Sequence, residues 1–247
     1  MMDSTATLLV GLLAIFFAGF TQGLTAFGFN LVAVPILIMV LPPTMVVPIV
    51  MMQAGMLTMA IALEARRWLD LRRIWPLLVA GSIGVPFGAR ILTILDVNVL
   101  KVLIGAVIAA FGVAFLCGFR REIKNEKLAM GPIGLISGVL AGSTGMSGPP
   151  VILFLTNQGV GKQVFRANLA FYFTVLSVVA AIAFGREGLI TTALLRYAMF
   201  LLPAMLVGGI AGIKLAHTVE ERLFGKIALI IVIIAGLVAL GSGARGL

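Results

Sequence analysis

Two glycine-rich, hydroxyl-bearing interruptions, Gly23-Leu24-Thr25-Ala26-Phe27-Gly28 and Gly142-Ser143-Thr144-Gly145-Met146-Ser147, hold the residues of this chain best suited to chemistry. Each lies in otherwise apolar sequence. Hydroxyls donate hydrogen bonds, and so do the unpaired N–H groups at the start of a helix, which is how helix N-termini hold phosphate and sulfate. The chemistry indicated is the binding of a small oxyanion. Thr25, Ser143, Thr144 and Ser147 supply hydroxyls, and Gln22, Asn30 and Gln53 supply amide donors. Gly23, Ala26, Gly28 and Gly145 are the backbone of the breaks. Phe27 and Met146 occupy matching positions, as apolar walls or gates or as ordinary packing. Asn168 and Tyr172, read as the start of the helix after the second break, complete the candidate set, with Arg166 just outside it. The plainer alternative is that the hydroxyls only satisfy the broken backbone. Thr58, on a run without a break, is expected to contribute little.

These groups must be positioned inside a membrane. With 61% hydrophobic and 11% charged residues, the 247-residue chain departs far from soluble domains, in which about 25% of residues are charged. Its mean hydropathy is +1.19. Apolar runs cover about 5–41, 44–63, 75–95, 98–118, 129–156, 168–185, 194–216 and 225–242. Most match the roughly 20 residues that cross a bilayer. The first run is too long for one crossing, so two half-helices meeting near Gly23–Gly28 are expected; the second break interrupts 129–156. Broken helices are tolerated in a bilayer only where protein or a water-filled cavity satisfies their backbone. A matched pair of breaks in the two halves of a chain points to a transporter's substrate site.

A second repeat supports duplication. Leu77 to Arg90 aligns without gaps with Leu201 to Lys214, matching the double leucine, the trailing basic residue and the G-x-x-x-G pairs Gly84/Gly88 and Gly208/Gly212. Those glycines are read as helix-packing positions. The offset is 119 for the breaks (Gly142 against Gly23) and 124 here (Gly208 against Gly84). Repeat one covers about 1–118, a cytoplasmic linker about 119–128, and repeat two about 129–247, all one transmembrane domain. Basic residues stay on the cytoplasmic side. If the 129–156 run re-enters, the loops of Arg66–Arg73 and Arg120–Lys127 and the residues Lys162, Arg166, Lys214, Arg222 and Lys226 place 13 basic residues inside against 5 outside; a single crossing gives 11 against 7. The expected fold is an all-α polytopic membrane protein of two inverted repeats, each a broken or re-entrant helix followed by about three transmembrane helices, both termini outside. Trp68 and Trp75 bracket a basic segment, and Arg66 to Trp75 is expected as a short helix on the inner leaflet.

Other chemistries find less support. The net charge of +9 lies in loops between apolar runs, which favours topology over nucleic acid. A single cysteine, Cys117, precludes an internal disulfide, and the single histidine, His217, has no partners at metal-ligand spacing, so no metal and no cofactor are expected. All nine carboxylates fall in loops or at helix ends, which disfavours a proton relay through one of them. Without a buried base or paired acids the chain is not read as an enzyme.

The breaks, their recurrence with following prolines (Gly23 to Pro35, Gly142 to Pro150) and the G-x-x-x-G helix with its basic residue resemble the TauE/SafE family of sulfite exporters, over essentially the whole chain. The resemblance implies export of small sulfur-containing anions such as sulfite, sulfoacetate or other organosulfonates from a bacterial inner membrane. An anion channel, or a carrier of a different small anion or a metal ion, is the alternative. The expected partners are that anion and the lipid bilayer, with a homodimer left open.

Overall fold

The computed structural model describes residues 5–116, 125–159 and 161–215. Among them the chain forms α1 (Thr5–Thr25), α2 (Phe29–Leu37), α3 (Pro43–Glu64), α4 (Leu71–Ile94), α5 (Val97–Leu116), α6 (Glu126–Thr144), α7 (Gly148–Asn157), α8 (Lys162–Arg186) and α9 (Thr192–Leu215), with a 3-10 turn at Arg66–Trp68 and no strand. Cys117, His217, most of the 119–128 linker and the run 225–242 lie outside the described residues. Helices α1, α3, α4, α8 and α9 are long and apolar enough to cross a membrane. Their outward side chains are apolar as well, including Phe17 on α1, Phe87 on α4 and Val207 on α9, which suits a hydrocarbon solvent.

Both interruptions separate helices: α1 stops at Thr25 and α2 starts at Phe29, while α6 stops at Thr144 and α7 starts at Gly148. The arms are not the two half-helices expected. α1 and α6 have 21 and 19 residues, whereas α2 and α7 have 9 and 10. At about 1.5 Å per residue the long arms rise roughly 30 Å and the short ones roughly 14 Å, so a short arm cannot cross. Each lies against its long arm, α2 on α1 and α7 on α6.

Arg66 to Trp75 is likewise not one helix. A single 3-10 turn ends at Trp68, and α4 begins at Leu71 under a cap from Asp70, whose carboxylate accepts the Arg73 N–H at 3.2 Å. Helices α4 and α8 both start before the apolar runs read at 75 and 168, because hydropathy marks only the apolar part of a helix. Their first turns are polar and still helical.

The closest crossings are made by the repeated glycines. A Cβ on Gly84 would meet the Leu135 carbonyl and Val139 N, and one on Gly88 the Val139 carbonyl and Ser143 N, so α4 lies directly on α6. A Cβ on Gly208 would meet the Phe16 carbonyl and Phe20 N, and one on Gly212 the Phe20 carbonyl and Leu24 N, so α9 lies on α1. The two contact sets interconvert residue by residue under the sequence offsets: Phe16, Phe20 and Leu24 correspond to Leu135, Val139 and Ser143. Small residues permit this approach, and dispersion over the contact replaces the hydrophobic drive that lipid removes. α3 and α8 form the third major pairing.

Polar contacts mark the two ends of the bundle. At one end Arg73 pairs with Glu126 at 2.7 Å, Arg166 with Glu64 at 3.5 Å, and Asn168 Oδ1 accepts the Asp70 N–H at 2.9 Å. At the other, Glu187 takes Arg90 at 3.1 Å and the Thr93 hydroxyl at 3.2 Å. Tyr197 near the start of α9 donates to the Thr7 carbonyl at 3.4 Å, placing the start of α1 beside the start of α9. These pairs are partly exposed and worth about 0–1 kcal/mol each.

Candidate functional site

The same backbone device closes both breaks. Ala26 N–H donates to the Gln22 carbonyl at 2.7 Å, and Gly145 N–H to the Ala141 carbonyl at 3.1 Å. Both residues are left-handed, with φ of 67° and 75°. The Thr25 hydroxyl donates to the Thr21 carbonyl at 2.8 Å and accepts the Phe27 N–H at 3.3 Å. The Thr144 hydroxyl donates to the Leu140 carbonyl at 2.8 Å and accepts the Met146 N–H at 3.3 Å. Every one of these pairs is related by the offset of 119. The threonines thus serve the helix ends, as hydroxyls do when they compete for a carbonyl one turn back.

Gly145 isolates the conformational part of this cap. An added Cβ would meet only Val50, Val34 and Val47 methyls at 3.4–3.6 Å, which is ordinary contact. Gly145→Ala should therefore fold and lose about 1–2 kcal/mol, the cost of a left-handed residue bearing a Cβ. Denaturant melts in detergent measure it, and an unchanged midpoint would show that the break relaxes.

The two breaks face one another. Asn30, in the first turn of α2, donates through Nδ2 to the Gly145 carbonyl of the other break and to Met51 Sδ at 3.3 Å. Gln22 Nε2 donates to the Ala54 carbonyl on α3 at 3.2 Å. Between them is a cavity of about 40 Å³, reached by Gln22, Phe27, Gly28 and Asn30 from the first break and by Gly145, Met146 and Ser147 from the second. Met51, Ala54 and Thr58 from the middle of α3, and Phe173 and Ser177 from the middle of α8, close its sides. Such a volume holds about three waters or one compact anion.

Among the described residues no charged side chain lines the cavity. Its polarity comes from helix ends. Val32 N–H is the first in α2 to bond back, to the Gly28 carbonyl at 3.1 Å, which leaves the earlier N–H groups without a partner inside the helix. α7 offers fewer donors, since Pro149 and Pro150 in its first turn carry none. The opposing negative ends of α1 and α6 are blunted, because the Gln22, Leu140, Ala141 and Gly145 carbonyls already accept hydrogen bonds. The balance favours negative charge.

The remaining residues singled out in the sequence lie outside the cavity lining. Gly23 is pressed against the Gly209 carbonyl and Ile213 N of α9, and Ala26 is buried beneath the break. Ser143 donates to the Val139 carbonyl at 2.7 Å, and Gln53 to the Ala198 carbonyl of α9 at 3.0 Å. Asn168 is at the Asp70 end of the bundle. Tyr172 donates to Ser137 at 2.9 Å, which donates to the Ser147 carbonyl at 2.6 Å and so braces the second break from behind. Asn168 and Tyr172 belong to α8; the helix that follows the break is α7. Thr58, read from sequence as a bystander, lines the cavity, its hydroxyl donating to the Ala54 carbonyl at 3.0 Å and accepting from Thr174 at 3.2 Å. Polar residues in the middle of unbroken spans were the signal that could have found Thr58 and Ser177.

A family model described as Sulfite exporter TauE/SafE matches residues 11–239. No curated protein and no solved structure matches the chain. The matched region contains both breaks, the crossings that hold them and, among the described residues, four of the five apolar spans whole and the first from residue 11 onward. An integral membrane protein whose two helix breaks meet over a neutral cavity, and whose sequence matches from residue 11 to residue 239, belongs to the sulfite exporter TauE/SafE family.

Proposed function

We propose that the protein exports small sulfur oxyanions, sulfite or short organosulfonates, across a bacterial inner membrane by alternating access, with the anion held between the two breaks. The observation that carries this is the cavity bridged by Asn30 and Gly145, bare of charged side chains among the described residues and fed by the N–H groups of α2. Gln22, Gly28, Asn30 and Ser147 contact the anion, and Phe27 and Met146 form its apolar walls. Thr25, Thr144 and Tyr172 act on it through the shape of the breaks.

In this reading the two repeats are inverted. Its support is helix direction. α4 and α6 run side by side from the Arg73–Glu126 pair, and α8 runs the same way, from the Glu64 end to Glu187. α9 turns back, and α1 accompanies α9. α1 and α6 then enter from opposite sides, which suits a site opened to each side in turn. Among the described residues Arg66, Arg67, Arg72, Arg73, Lys127, Lys162, Arg166 and Lys214 fall toward the Glu64 end, against Arg90, Lys101, Arg186 and Arg196 at the other. The Glu64 end is therefore assigned to the cytoplasm and the N-terminus to the outside.

Proteoliposomes loaded with sulfite, methanesulfonate or acetate test the function. Saturable efflux of the sulfur anions and little of acetate is the expected result; unsaturable flux with single-channel currents would make the protein a channel, and no flux would end the proposal.

A further inference from the structure

Thr58 and Ser177 correspond under the offset of 119 that relates the breaks, and both line the cavity. The same offset pairs Ala54 with Phe173 and Phe29 with Gly148, four more residues of the lining. Each half of the sequence thus supplies one phenylalanine and one small residue, but from exchanged elements. The first has its ring on α2 and its alanine on α3; the second has its glycine on α7 and its ring on α8. The two rings are placed differently. Phe29 is 1% exposed and belongs to the hydrophobic core shared by α1, α2, α3 and α9. Phe173 is only half-buried, its ring set edge-on to Tyr172 with the centroids 5.7 Å apart. Its tip reaches the second break: a Cβ on Gly148 would stand 3.6 Å from Phe173 Cζ and 3.0 Å from Ile152 Cδ1. This corner has little to offer an anion, since Pro149 carries no N–H and Ile152 and Phe173 present only hydrocarbon. The free N–H groups are those of α2, in the other break.

We propose that Phe173 sets the size limit of the site. The oxyanion head lies at the start of α2, the substituent on its sulfur points into the corner between Gly148, Ile152 and Phe173, and the ring stops that substituent. The cavity of about 40 Å³ holds a compact anion and little more, so the stop falls after about one carbon. This rests on the anion site proposed above and divides its substrates: sulfite and methanesulfonate fit, and longer alkanesulfonates do not. Phe173 brings neither charge nor hydrogen bond, so it governs which anion enters rather than how the anion head is held. Gly148 belongs to the same device, because the corner stays open only while that residue has no side chain.

Sulfite, methanesulfonate and 1-butanesulfonate are titrated into the purified full-length protein and into its Phe173→Ala and Gly148→Ala variants, with a melt on each sample to read folding. The parent should bind sulfite and methanesulfonate, and butanesulfonate about tenfold or more weakly than methanesulfonate. Phe173→Ala removes the stop, and each methylene then admitted to an apolar wall adds about fourfold in affinity, so the butanesulfonate-to-methanesulfonate ratio should rise about tenfold or more. Gly148→Ala puts a methyl into the corner against the end of the flexible Ile152 side chain, which can give way without unfolding the chain. Its methanesulfonate-to-sulfite ratio should fall about tenfold. A general loosening of the site would instead weaken all three anions together. Should Phe173→Ala fail to fold, the Gly148→Ala ratio decides alone. A parent that binds butanesulfonate as tightly as methanesulfonate, or a ratio that keeps its parental value in any folded variant, would overturn the inference and leave the anion site standing. Failure of all three anions to bind the parent would remove the anion site and this inference with it.

Discussion

Gly88→Ala combined with Gly208→Ala is expected to lower the melting temperature in detergent by about 10 °C. At Gly88 the new Cβ runs into the Val139 carbonyl and stands 2.8 Å from Ser143 N; at Gly208 it runs into the Phe16 carbonyl and stands 3.1 Å from Phe20 N. The obstacle is backbone in both cases, so no rotamer change relieves it and the helices must separate. Overpacking of this kind costs roughly 1–3 kcal/mol per site, and one kcal/mol moves the melting temperature of a chain this size by about 2–4 °C. The two sites lie on different helix pairs, so their effects should add. Gly131→Ala is the control, since nothing lies within 4 Å of its added Cβ and alanine is the better helix former. If the double variant melts with the parent, α4 and α9 are not held at glycine distance.

Asn30→Leu should reduce sulfite affinity at least tenfold. Among the described residues the amide is the one side chain that joins the two breaks directly, and leucine of similar size would leave the Gly145 carbonyl without its donor. Leaving the carbonyl unpaired costs about 1–3 kcal/mol of stability, whereas losing the amide's contact with a charged ligand costs about 1.5–3 kcal/mol of binding, and 1.4 kcal/mol is a factor of ten in affinity. Titration calorimetry reads the affinity, and a melt on the same sample reads folding. Gln22→Met, across the cavity, separates the two: it leaves the Asn30–Gly145 bridge in place and should lower affinity with a smaller loss of stability. Sulfite affinity unchanged in both variants would move the site away from the breaks.

The breaks themselves were legible before any coordinates. Glycine, proline and hydroxyl residues interrupt a helix through local backbone chemistry, which sequence records directly, and the interruptions fall between Thr25 and Phe29 and between Thr144 and Gly148. The packing role of Gly84, Gly88, Gly208 and Gly212 was legible for a related reason: four residues of spacing put each pair on one helix face. The arms of the breaks were misjudged because hydropathy measures the length of an apolar run and is blind to where it turns. The short arms α2 and α7 are too brief to register apart from their long partners.

The amino-acid sequence by itself determined the solvent, the helical type of the long apolar spans and the two places where helices must stop, since each depends on residues adjacent in the chain. Only the tertiary structure decided which polar groups face the cavity. Thr25 and Thr144 were drawn back to carbonyls one turn earlier in their own helices, a nearby acceptor that a distant ligand must outcompete. Asn30 instead reached across 115 positions to Gly145, and Thr58 and Ser177 came to the cavity because α3 crosses α8 at Gly55, where an added Cβ would meet Ser177 at 2.5 Å. Such meetings depend on how helices far apart in sequence cross, and no local pattern encodes the crossing.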